Sequence, residues 1–355
     1  MTLENDKSLK AIDFFCGAGG MSYGLRKSGI QILAGIDNEI DCQRTYEGNI
    51  PGAKFCKYDI CTLSSKVLQQ QTGISIFDDN LIFAGCSPCQ YWSKIRTEKR
   101  KSEQTAYLLK NFQNFIRYFH PGFVVIENVP GLYKRKKDSI LSDFLALLKN
   151  LGYSWADGIV NANHYGVPQN RMRYLMIATR LSSQLSLPAK DINRPVVSEF
   201  IGVEKGFISI LAGHKDDSRL QHWCSSLSEK NQRRIETTPK SGGNRSAWKD
   251  DDELQISAYK GRDKIFTDVY GRMYWDKPAP TITTRFNSFS NGRFGHPDEN
   301  RAISIREGAT LQTFPKQYYF YGKSIHSLAR QIGNAVPPEL ARRIGEHIKE
   351  IYQNG

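Results

Sequence analysis

The first half of the chain alternates short apolar runs with segments of helical spacing. The predicted strands are residues 11–15, 31–36, 81–84, 123–126, 155–160 and 174–178. The predicted helices are residues 21–27, 41–47, 106–119 and 140–151. Alternation of strand and helix favours a largely parallel sheet that is covered by helices on both faces. We therefore expect a doubly wound α/β fold.

Residues 181–319 have a different character, because Gly, Ser, Asn and Arg are frequent and apolar runs are short. Aromatic residues there stand singly among basic ones, a pattern that does not indicate long helices or a large core. Helical spacing returns in residues 327–351. The sequence thus predicts one α/β domain of residues 1–180 and 320–355, and a smaller, irregular, mainly β domain of residues 181–319.

The composition indicates the kind of partner and compartment. Lys and Arg number 49 against 36 Asp and Glu, a net charge of +13. This excess favours a polyanionic partner, because each contact with a phosphate releases counterions. The seven cysteines are odd in number and scattered, which indicates a reducing compartment. With no apolar signal region and no run of about 18 apolar residues, we expect a cytoplasmic protein without a membrane span.

A glycine-rich turn links the first predicted strand to the first helix. Gly17, Gly19 and Gly20 let the backbone turn sharply and approach a ligand closely. The helix that follows offers free N–H groups to that ligand. The dinucleotide fingerprint Gly-x-Gly-x-x-Gly lacks its third glycine here. This departure indicates a nucleoside cofactor smaller than a dinucleotide.

Two acidic residues are placed to bind such a cofactor. Asp37 ends the second predicted strand and is positioned to accept hydrogen bonds from ribose hydroxyls. Asp59 ends a third strand and is positioned to accept from an adenine amino group. Either acid alone is more often a helix cap or a turn residue. Their combination with the glycine turn is what favours the cofactor site.

Cys89 is a candidate nucleophile, because it follows the buried strand of residues 81–84 on a loop that Pro88 stiffens. Ligands of open α/β sheets bind just past the carboxyl ends of the strands. A lone cysteine is more often a small buried apolar residue. The spacing Cys86-x-x-Cys89 also suits a redox pair or zinc, but no second pair of ligands accompanies it, so we predict no metal.

Four segments carry a resemblance when they are read in order: residues 85–90, 123–129, 169–173 and 331–338. From about Ile12 to the C-terminal helix, the chain resembles the bacterial DNA cytosine C5-methyltransferases, whether of type II restriction–modification systems or orphan. Residues 13–20 resemble that family's S-adenosylmethionine loop, and residues 88–90 resemble its nucleophile motif. The motifs at 127–129, 169–173, 306–307 and 333–336 follow in the family's order.

The resemblance implies a Rossmann-like, S-adenosylmethionine-dependent enzyme that methylates cytosine C5 in a specific DNA sequence. The Cys89 thiolate would add to C6 of a flipped cytosine. Glu127, kept protonated by desolvation, would act at N3. Arg171 would donate to O2 and favour the thiolate, and Arg173 would hold Glu127 or the loop in place.

The predicted residues fall into three groups. The catalytic residues are Cys89, Glu127, Arg171 and Arg173. The cofactor-binding residues are Phe15, Gly17, Gly19, Gly20, Asp37, Asn38, Asp59, Ile60, Pro88, Leu108, Asn334 and Val336. The DNA-binding residues are Gln90, Ser93, Arg245, Arg272, Thr281, Ile282, Arg285 and Arg293.

Three other functions stay open at this point. The first is cytosine methylation in tRNA, the second a catalytically silent DNA-binding protein on the same fold, and the third a nicotinamide dehydrogenase. The long segment of residues 181–303, with its basic and aromatic residues, favours double-stranded DNA as the partner. We expect a monomer that forms no stable complex with any cognate restriction endonuclease.

Overall fold

The computed structural model describes residues 8–86, 99–134, 140–262 and 265–354. Its strands are β1 (Lys10–Phe14), β2 (Gln31–Asp37), β3 (Lys54–Lys57), β4 (Leu81–Gly85), β5 (Phe123–Asn128), β6 (Ser154–Asn161) and β7 (Met172–Thr179). Its helices are α1 (Gly20–Lys27), α2 (Gln43–Asn49), α3 (Ser65–Thr72), α4 (Lys99–Phe119), α5 (Pro130–Lys134), α6 (Ile140–Asn150), α7 (Glu229–Thr237), α8 (Ile305–Leu311), α9 (Ile325–Asn334) and α10 (Pro338–Asn354).

The strands form one sheet in the order β3-β2-β1-β4-β5-β7-β6. The first five strands in this order are parallel, whereas β7 is antiparallel to both β5 and β6. The prediction of a doubly wound, mostly parallel α/β sheet is confirmed. The strand order reverses between β1 and β4, the place where open α/β sheets bind ligands. The carboxyl ends of β1 to β5 share one edge, and β7 begins at that same edge.

The core lies around the central strands, where β4 and β5 are buried along their whole length. Strands covered on both faces are continuous apolar runs rather than alternating ones, which is why the sequence revealed them clearly. The Phe14 ring packs edge to face against Phe83 at 5.1 Å and Phe112 at 5.0 Å between centroids. Among the described residues, no helix has the length and apolar character of a membrane span.

Two elements were poorly marked in the sequence. β3 has only four residues, and its two terminal lysines are exposed, so it carries almost no apolar signal. α3 was not predicted, because Leu68 is its one buried side chain and most of its other residues are polar. Both elements depend on packing against the rest of the sheet rather than on their own periodicity.

Gly24 has a packing role in α1. A Cβ atom there would overlap the Pro338 carbonyl oxygen and the Ala341 side chain of α10. The close approach of α1 and α10 therefore requires glycine at this position. It also explains how the C-terminal helix completes the sheet domain after a long intervening segment.

The chain divides into two compact units. The first unit comprises Met1–Asn161, Met172–Lys190 and Val336–Gly355, and the second comprises Ala162–Arg171 and Asp191–Ala335. These boundaries differ from the predicted domains, because residues 162–171 and the whole of α9 belong to the second unit. The resemblance implies that residues 1–180 and 320–355 bind S-adenosylmethionine and catalyse the reaction and that residues 181–319 recognise the DNA target, and both roles stay predictions.

Long-range side-chain hydrogen bonds explain this difference. Gln312 accepts a hydrogen bond from Gln169 Nε2 at 2.8 Å and donates through its own Nε2 to the Ile332 carbonyl at 2.7 Å. These bonds tie residues 162–171 and α9 to the segment around α8. Such contacts leave no periodic signal in a sequence, so the composition change near residue 181 was a poor guide to the boundary.

The second unit is irregular, as expected, but it is not mainly β. Its described residues contain α7, α8, α9, short 3₁₀ turns and isolated bridges, without a named strand. Arginine side chains bind many of the backbone carbonyls that a strand partner would otherwise bind, as the following contacts show. The polar sequence is thus consistent with irregular backbone that side chains hold in place.

Candidate active site

The turn after β1 has an unusual backbone. Phe15 has a φ of +62°, and Gly17 and Gly19 have φ values of +49° and +88°. The N–H groups of Phe15 and Cys16 both donate to the Ile36 carbonyl, at 2.8 and 3.1 Å. A bulky residue at positive φ is strained, and such strain concentrates at functional sites. The strained backbone therefore marks this turn as part of a candidate functional site.

The glycine turn leaves room for a ligand. A Cβ atom at Gly17 would meet nothing within 4 Å, so the space beside it is open. Gly20 begins α1, and the first N–H groups of a helix have no partner within the helix. Open space beside Gly17, next to the N-terminal end of α1, fits the polar tail of a small nucleoside cofactor.

Asp37 braces this turn. Its Oδ2 accepts a hydrogen bond from the Gly17 N–H at 2.8 Å, and its Oδ1 accepts from the Glu39 N–H at 2.8 Å. Burial raises the pKa of the Asp37 carboxyl, while these backbone donors lower it. Both carboxylate oxygens of Asp37 thus already accept hydrogen bonds from the protein backbone. The predicted ribose contact would come in addition to this structural role.

Two further candidate cofactor residues, absent from the predicted set, follow Asp37. Glu39 precedes the 3₁₀ turn Ile40–Cys42, and Ile40 is 45% exposed. An exposed apolar side chain beside an acid suits a nucleoside, because the base needs an apolar surface and the ribose needs an acceptor. The signal was present in the sequence as one isoleucine among four polar residues, Asp37, Asn38, Glu39 and Asp41.

The other predicted cofactor residues occupy varied environments. Asp59 accepts a hydrogen bond from the Cys61 N–H at 2.9 Å, which shapes the turn after β3. Ile60 and Val336 are buried, Leu108 is half-buried against the core, and Asn38 and Asn334 are exposed. Pro88 lies outside the described residues. The contacts of these residues with a cofactor stay predictions.

Asp13 lies beneath the glycine turn with no exposed surface. Its Oδ2 accepts hydrogen bonds from the Ser22 N–H at 3.1 Å and the Ser22 hydroxyl at 2.6 Å. Burial raises the pKa of Asp13 to about 7. Its Oδ1 has no hydrogen-bond partner among the described residues. The carboxyl group therefore fixes the start of α1 at a high cost in desolvation.

Glu127 and Arg173 form a buried ion pair at the same sheet edge. Glu127 is the last residue but one of β5, and Arg173 is the second residue of β7. Arg173 Nε lies 3.0 Å from Glu127 Oε1, with side-chain exposures of 12% and 7%. The antiparallel register of β5 and β7 brings the end of one strand beside the beginning of the other. Arg173 thus lies beside Glu127, as the sequence predicts.

Arg171 has different contacts. It is 2% exposed, and its Nη1 donates to the Ile282 carbonyl at 3.1 Å. Its Nη2 donates to the carbonyls of Gly333 at 3.2 Å and Ala335 at 2.9 Å. Arg171 therefore anchors two backbone segments of the second unit. Cys89, the predicted nucleophile, lies outside the described residues, as do Gln90 and Ser93.

The DNA-binding prediction needs correction at Arg272, which is 1% exposed. Its guanidinium donates to the carbonyls of Thr238, Ile235, His296 and Glu299 and to Asn300 Oδ1. A side chain whose donors are all engaged inside the protein cannot read a base. Arg272 is a structural residue.

Arg293 and Arg245 need the same correction, since they are 9% and 2% exposed. Arg293 donates to the carbonyls of Gly242 and Arg272 and forms a 2.8 Å ion pair with Asp268. Arg245 donates to the Ile265 carbonyl at 2.7 Å and stacks over a tyrosine ring. Their spacing among aromatic residues suggested base readers, but burial is not visible in spacing.

The remaining DNA-binding predictions lie in one short segment. Arg285 is exposed and remains available to an outside partner. The Thr281 hydroxyl donates to the Asn170 carbonyl at 2.7 Å, and Ile282 is fully buried. Thr281 and Ile282 therefore hold the segment in place, and a contact between Arg285 and DNA stays a prediction.

Comparisons with known proteins agree with this geometry. The family model for C-5 cytosine-specific DNA methylases matches residues 9–350. The chain is 36% identical over 350 residues to the type II methylase M.HgiDII of Herpetosiphon aurantiacus, covering 96% of this chain and 95% of that protein. It is 30% identical over 394 residues to the type II methyltransferase M.DdeI of Desulfomicrobium norvegicum, covering 98% and 90%.

Solved structures share the fold. The crystal structure of a DNA modification methyltransferase encoded within an E. coli prophage matches with a TM-score of 0.74 and 22% identity, covering 98% of this chain and 100% of that one. The DNMT2 structure from Spodoptera frugiperda matches with a TM-score of 0.62 and 16% identity, covering 98% and 100%. At these identities the likeness establishes the architecture.

A pair of arginine substitutions tests the correction. We expect Arg272→Met to lower the free energy of unfolding by about 3–5 kcal/mol, because it strips buried carbonyls of their donors. Arg285→Ala should change it by less than about 0.5 kcal/mol, as exposed substitutions usually do. Urea unfolding followed by circular dichroism measures both. Equal stability of the two variants would contradict a structural role for Arg272.

Proposed function

This chain belongs to the family of C-5 cytosine-specific DNA methylases, and we propose that it methylates C5 of one cytosine within a specific sequence of double-stranded DNA. Membership makes it a DNA cytosine-5-methyltransferase, and the family and fold imply S-adenosylmethionine as the methyl donor. The observation that best supports the finer proposal is the buried Glu127–Arg173 pair, at the sheet edge that also carries the glycine turn.

The residues at this edge fit S-adenosylmethionine. The N-terminal end of α1 beside the glycine turn suits its carboxylate, Glu39 suits its ribose hydroxyls, and Ile40 suits one face of its adenine. Asp37 holds the turn and Glu39 in position by accepting hydrogen bonds from their backbone N–H groups. When bound, the cofactor supplies an electrophilic methyl group.

Cys89 supplies the nucleophile in this proposal, because C5 of cytosine is itself too weakly nucleophilic. The thiolate forms a bond to C6, and the π electrons of C5=C6 move to C5, which takes the methyl group. Loss of the C5 proton to water then restores C5=C6, while the S–C6 bond breaks and frees the thiolate. The base must leave the duplex for this chemistry. The Cys86 N–H donates to the Phe14 carbonyl at 3.3 Å, so the chain enters this loop beside the glycine turn.

Glu127 and Arg173 act on the opposite side of the ring. Addition at C6 places negative charge on N3 and O2. In this proposal the Glu127 carboxylate, paired with Arg173, takes up a proton from solvent when the base binds and donates it to N3, while the guanidinium of Arg173 stabilises the charge on O2. The sequence predicts that Arg171 donates to O2. We assign this contact to Arg173 instead. The reason is that Arg171 already donates to three backbone carbonyls, whereas Arg173 lies beside Glu127.

The relatives favour this function over its rivals. The family description names DNA, and the two relatives described above are type II enzymes, which supports DNA over tRNA. The presence of Cys89, Glu127 and Arg173 together supports an enzyme over a silent DNA-binding protein. We retain the expectation of a monomer, with any cognate restriction endonuclease forming no stable complex with it.

The direct test is the methylation of plasmid DNA in cells that express the protein. Bisulfite sequencing should show 5-methylcytosine in one sequence context, and Cys89→Ser should abolish it. The wild-type protein should also form a denaturation-resistant adduct with DNA that carries 5-fluorocytosine, since fluorine blocks the elimination step. Unmodified plasmid with well-folded wild-type protein would refute the function, and an adduct at another residue would refute only the role of Cys89.

A lysine substitution at each arginine separates their roles. Arg173→Lys should lower kcat by about 10²-fold or more with little loss of stability, because a point charge replaces a planar fork at the base. Arg171→Lys should instead lower the free energy of unfolding by about 1–3 kcal/mol, because it loses hydrogen bonds to carbonyls. Single-turnover kinetics and urea unfolding measure the two effects. The reverse pattern would return the O2 contact to Arg171.

Substitutions after β2 test the cofactor assignment. Glu39→Ala should weaken binding of S-adenosylhomocysteine about 10-fold to 100-fold, as expected for a charge-assisted bond of about 1.5–3 kcal/mol, without changing the Tm of the unliganded protein. Asp37→Ala should lower that Tm as well, because two backbone donors lose their acceptor. Exposed Glu47→Ala is the matched control. Titration calorimetry would count against Glu39 if its variant bound as tightly as this control.

A further inference from the structure

Two buried glutamines form the centre of a hydrogen-bonded frame in the second unit. Gln169 and Gln312 both have no exposed surface. Gln169 Nε2 donates to Gln312 Oε1 at 2.8 Å and to the Leu311 carbonyl at 2.9 Å, and its Oε1 accepts from the Ile282 N–H at 3.0 Å. Rotating the amide by 180° would place its NH₂ against the Ile282 N–H. The orientation of Gln169 is therefore fixed from both ends.

Gln312 continues the frame to the end of α9. Its Nε2 donates to the Ile332 carbonyl at 2.7 Å and to the Ala335 carbonyl at 3.3 Å. The turn that these carbonyls define carries Asn334, an exposed residue predicted to contact the cofactor. Gln312 thus joins this turn directly to Gln169.

The same turn lies against the segment predicted to contact DNA. A Cβ atom at Gly333 would overlap the backbone of Thr283 and Thr284, so only glycine permits this approach. Arg171 bridges the two segments, since it donates to the carbonyls of Ile282 and Gly333. Thr283 is exposed on one side of this contact and Asn334 on the other. Neither segment can shift without straining the other.

We propose that Gln312 is a positioning residue that couples cofactor binding to DNA binding. The inference rests on the proposed function, because it needs both ligands. Gln312 is fully buried, so it acts through the turn and through Gln169 rather than by touching a ligand. A ligand that orders one segment lowers the cost of ordering the other, and the coupling is reciprocal. Removing the Gln312 amide leaves Arg171 and the Gly333 contact in place but loses the hydrogen bonds from Gln312 to the turn, which loosens the turn and weakens the coupling.

The measurement is the affinity for target duplex DNA with and without saturating S-adenosylhomocysteine. The ratio of the two Kd values is the coupling factor. For Gln312→Met, a substitution of similar length, we expect this factor to fall at least about fivefold, within the range of ordinary site–site coupling. The Kd for DNA alone should change by less than about threefold, the size of a modest contact change.

Gln221→Met is the matched control. Gln221 is also fully buried in the second unit, where its Nε2 donates to the Phe320 carbonyl at 2.7 Å and its Oε1 accepts from the Phe320 N–H at 3.0 Å. None of these hydrogen bonds reaches Gln169 or Gln312. Its substitution should lower the Tm to a similar extent while the coupling factor stays at the wild-type value.

A second variant isolates the donor half of the amide. Gln312→Glu keeps the acceptor for Gln169 but loses the donor to the Ile332 carbonyl, so it should lose the coupling as well. Should Gln312→Met fail to fold, Gln169→Met breaks the Gln169–Gln312 hydrogen bond from its other end and carries the same expectation.

Three results would overturn the inference: a wild-type coupling factor near one, retained coupling in Gln312→Met, or equal loss in Gln221→Met. If wild-type protein makes no 5-methylcytosine, the proposed function falls and this inference with it. If it methylates DNA while any of the three results holds, only the inference falls.

Discussion

Every buried backbone carbonyl needs a donor, and the two units of this protein meet that requirement in different ways. In the first unit, regular secondary structure supplies the donors, since the strands bond one another in one seven-stranded sheet and the helices bond within themselves. The second unit has no named strand among its described residues, and buried arginine and glutamine side chains supply donors instead. The first solution places loops at one sheet edge, and the second holds irregular segments at fixed spacings.

The sheet was largely predictable because its central strands are buried on both faces and read as continuous apolar runs. β4 and β5 illustrate this, since every residue in both is buried. β3 and α3 gave little signal, because they are short and mostly polar. The domain boundary was not predictable, because it depends on contacts such as that between Gln169 and Gln312, which are 143 residues apart. Composition changes along the chain do not report such contacts.

The candidate site was predictable where residue type and strand position decide the outcome. The glycine turn, Asp37, Glu127 and Arg173 all lie at the expected sheet edge. The roles of individual arginines were not predictable, because a guanidinium donates hydrogen bonds equally well to a carbonyl, a carboxylate or a base. Arg171 and Arg272 show this, since each bonds the backbone where the sequence suggested a ligand. Glu39 and Ile40 were overlooked beside the more conspicuous Asp37.

The way Arg272 is bonded has a consequence for how this protein can diverge. Four of its five acceptors are main-chain carbonyls, those of Thr238, Ile235, His296 and Glu299. Any amino acid except one that distorts the backbone presents the same carbonyl, so the side chains at these positions take no part in the hydrogen bonds to Arg272. The path of the chain at these four positions therefore depends on Arg272 rather than on the side chains that stand there. One internal arginine thus constrains four separate points of the backbone without prescribing which residue occupies each of them.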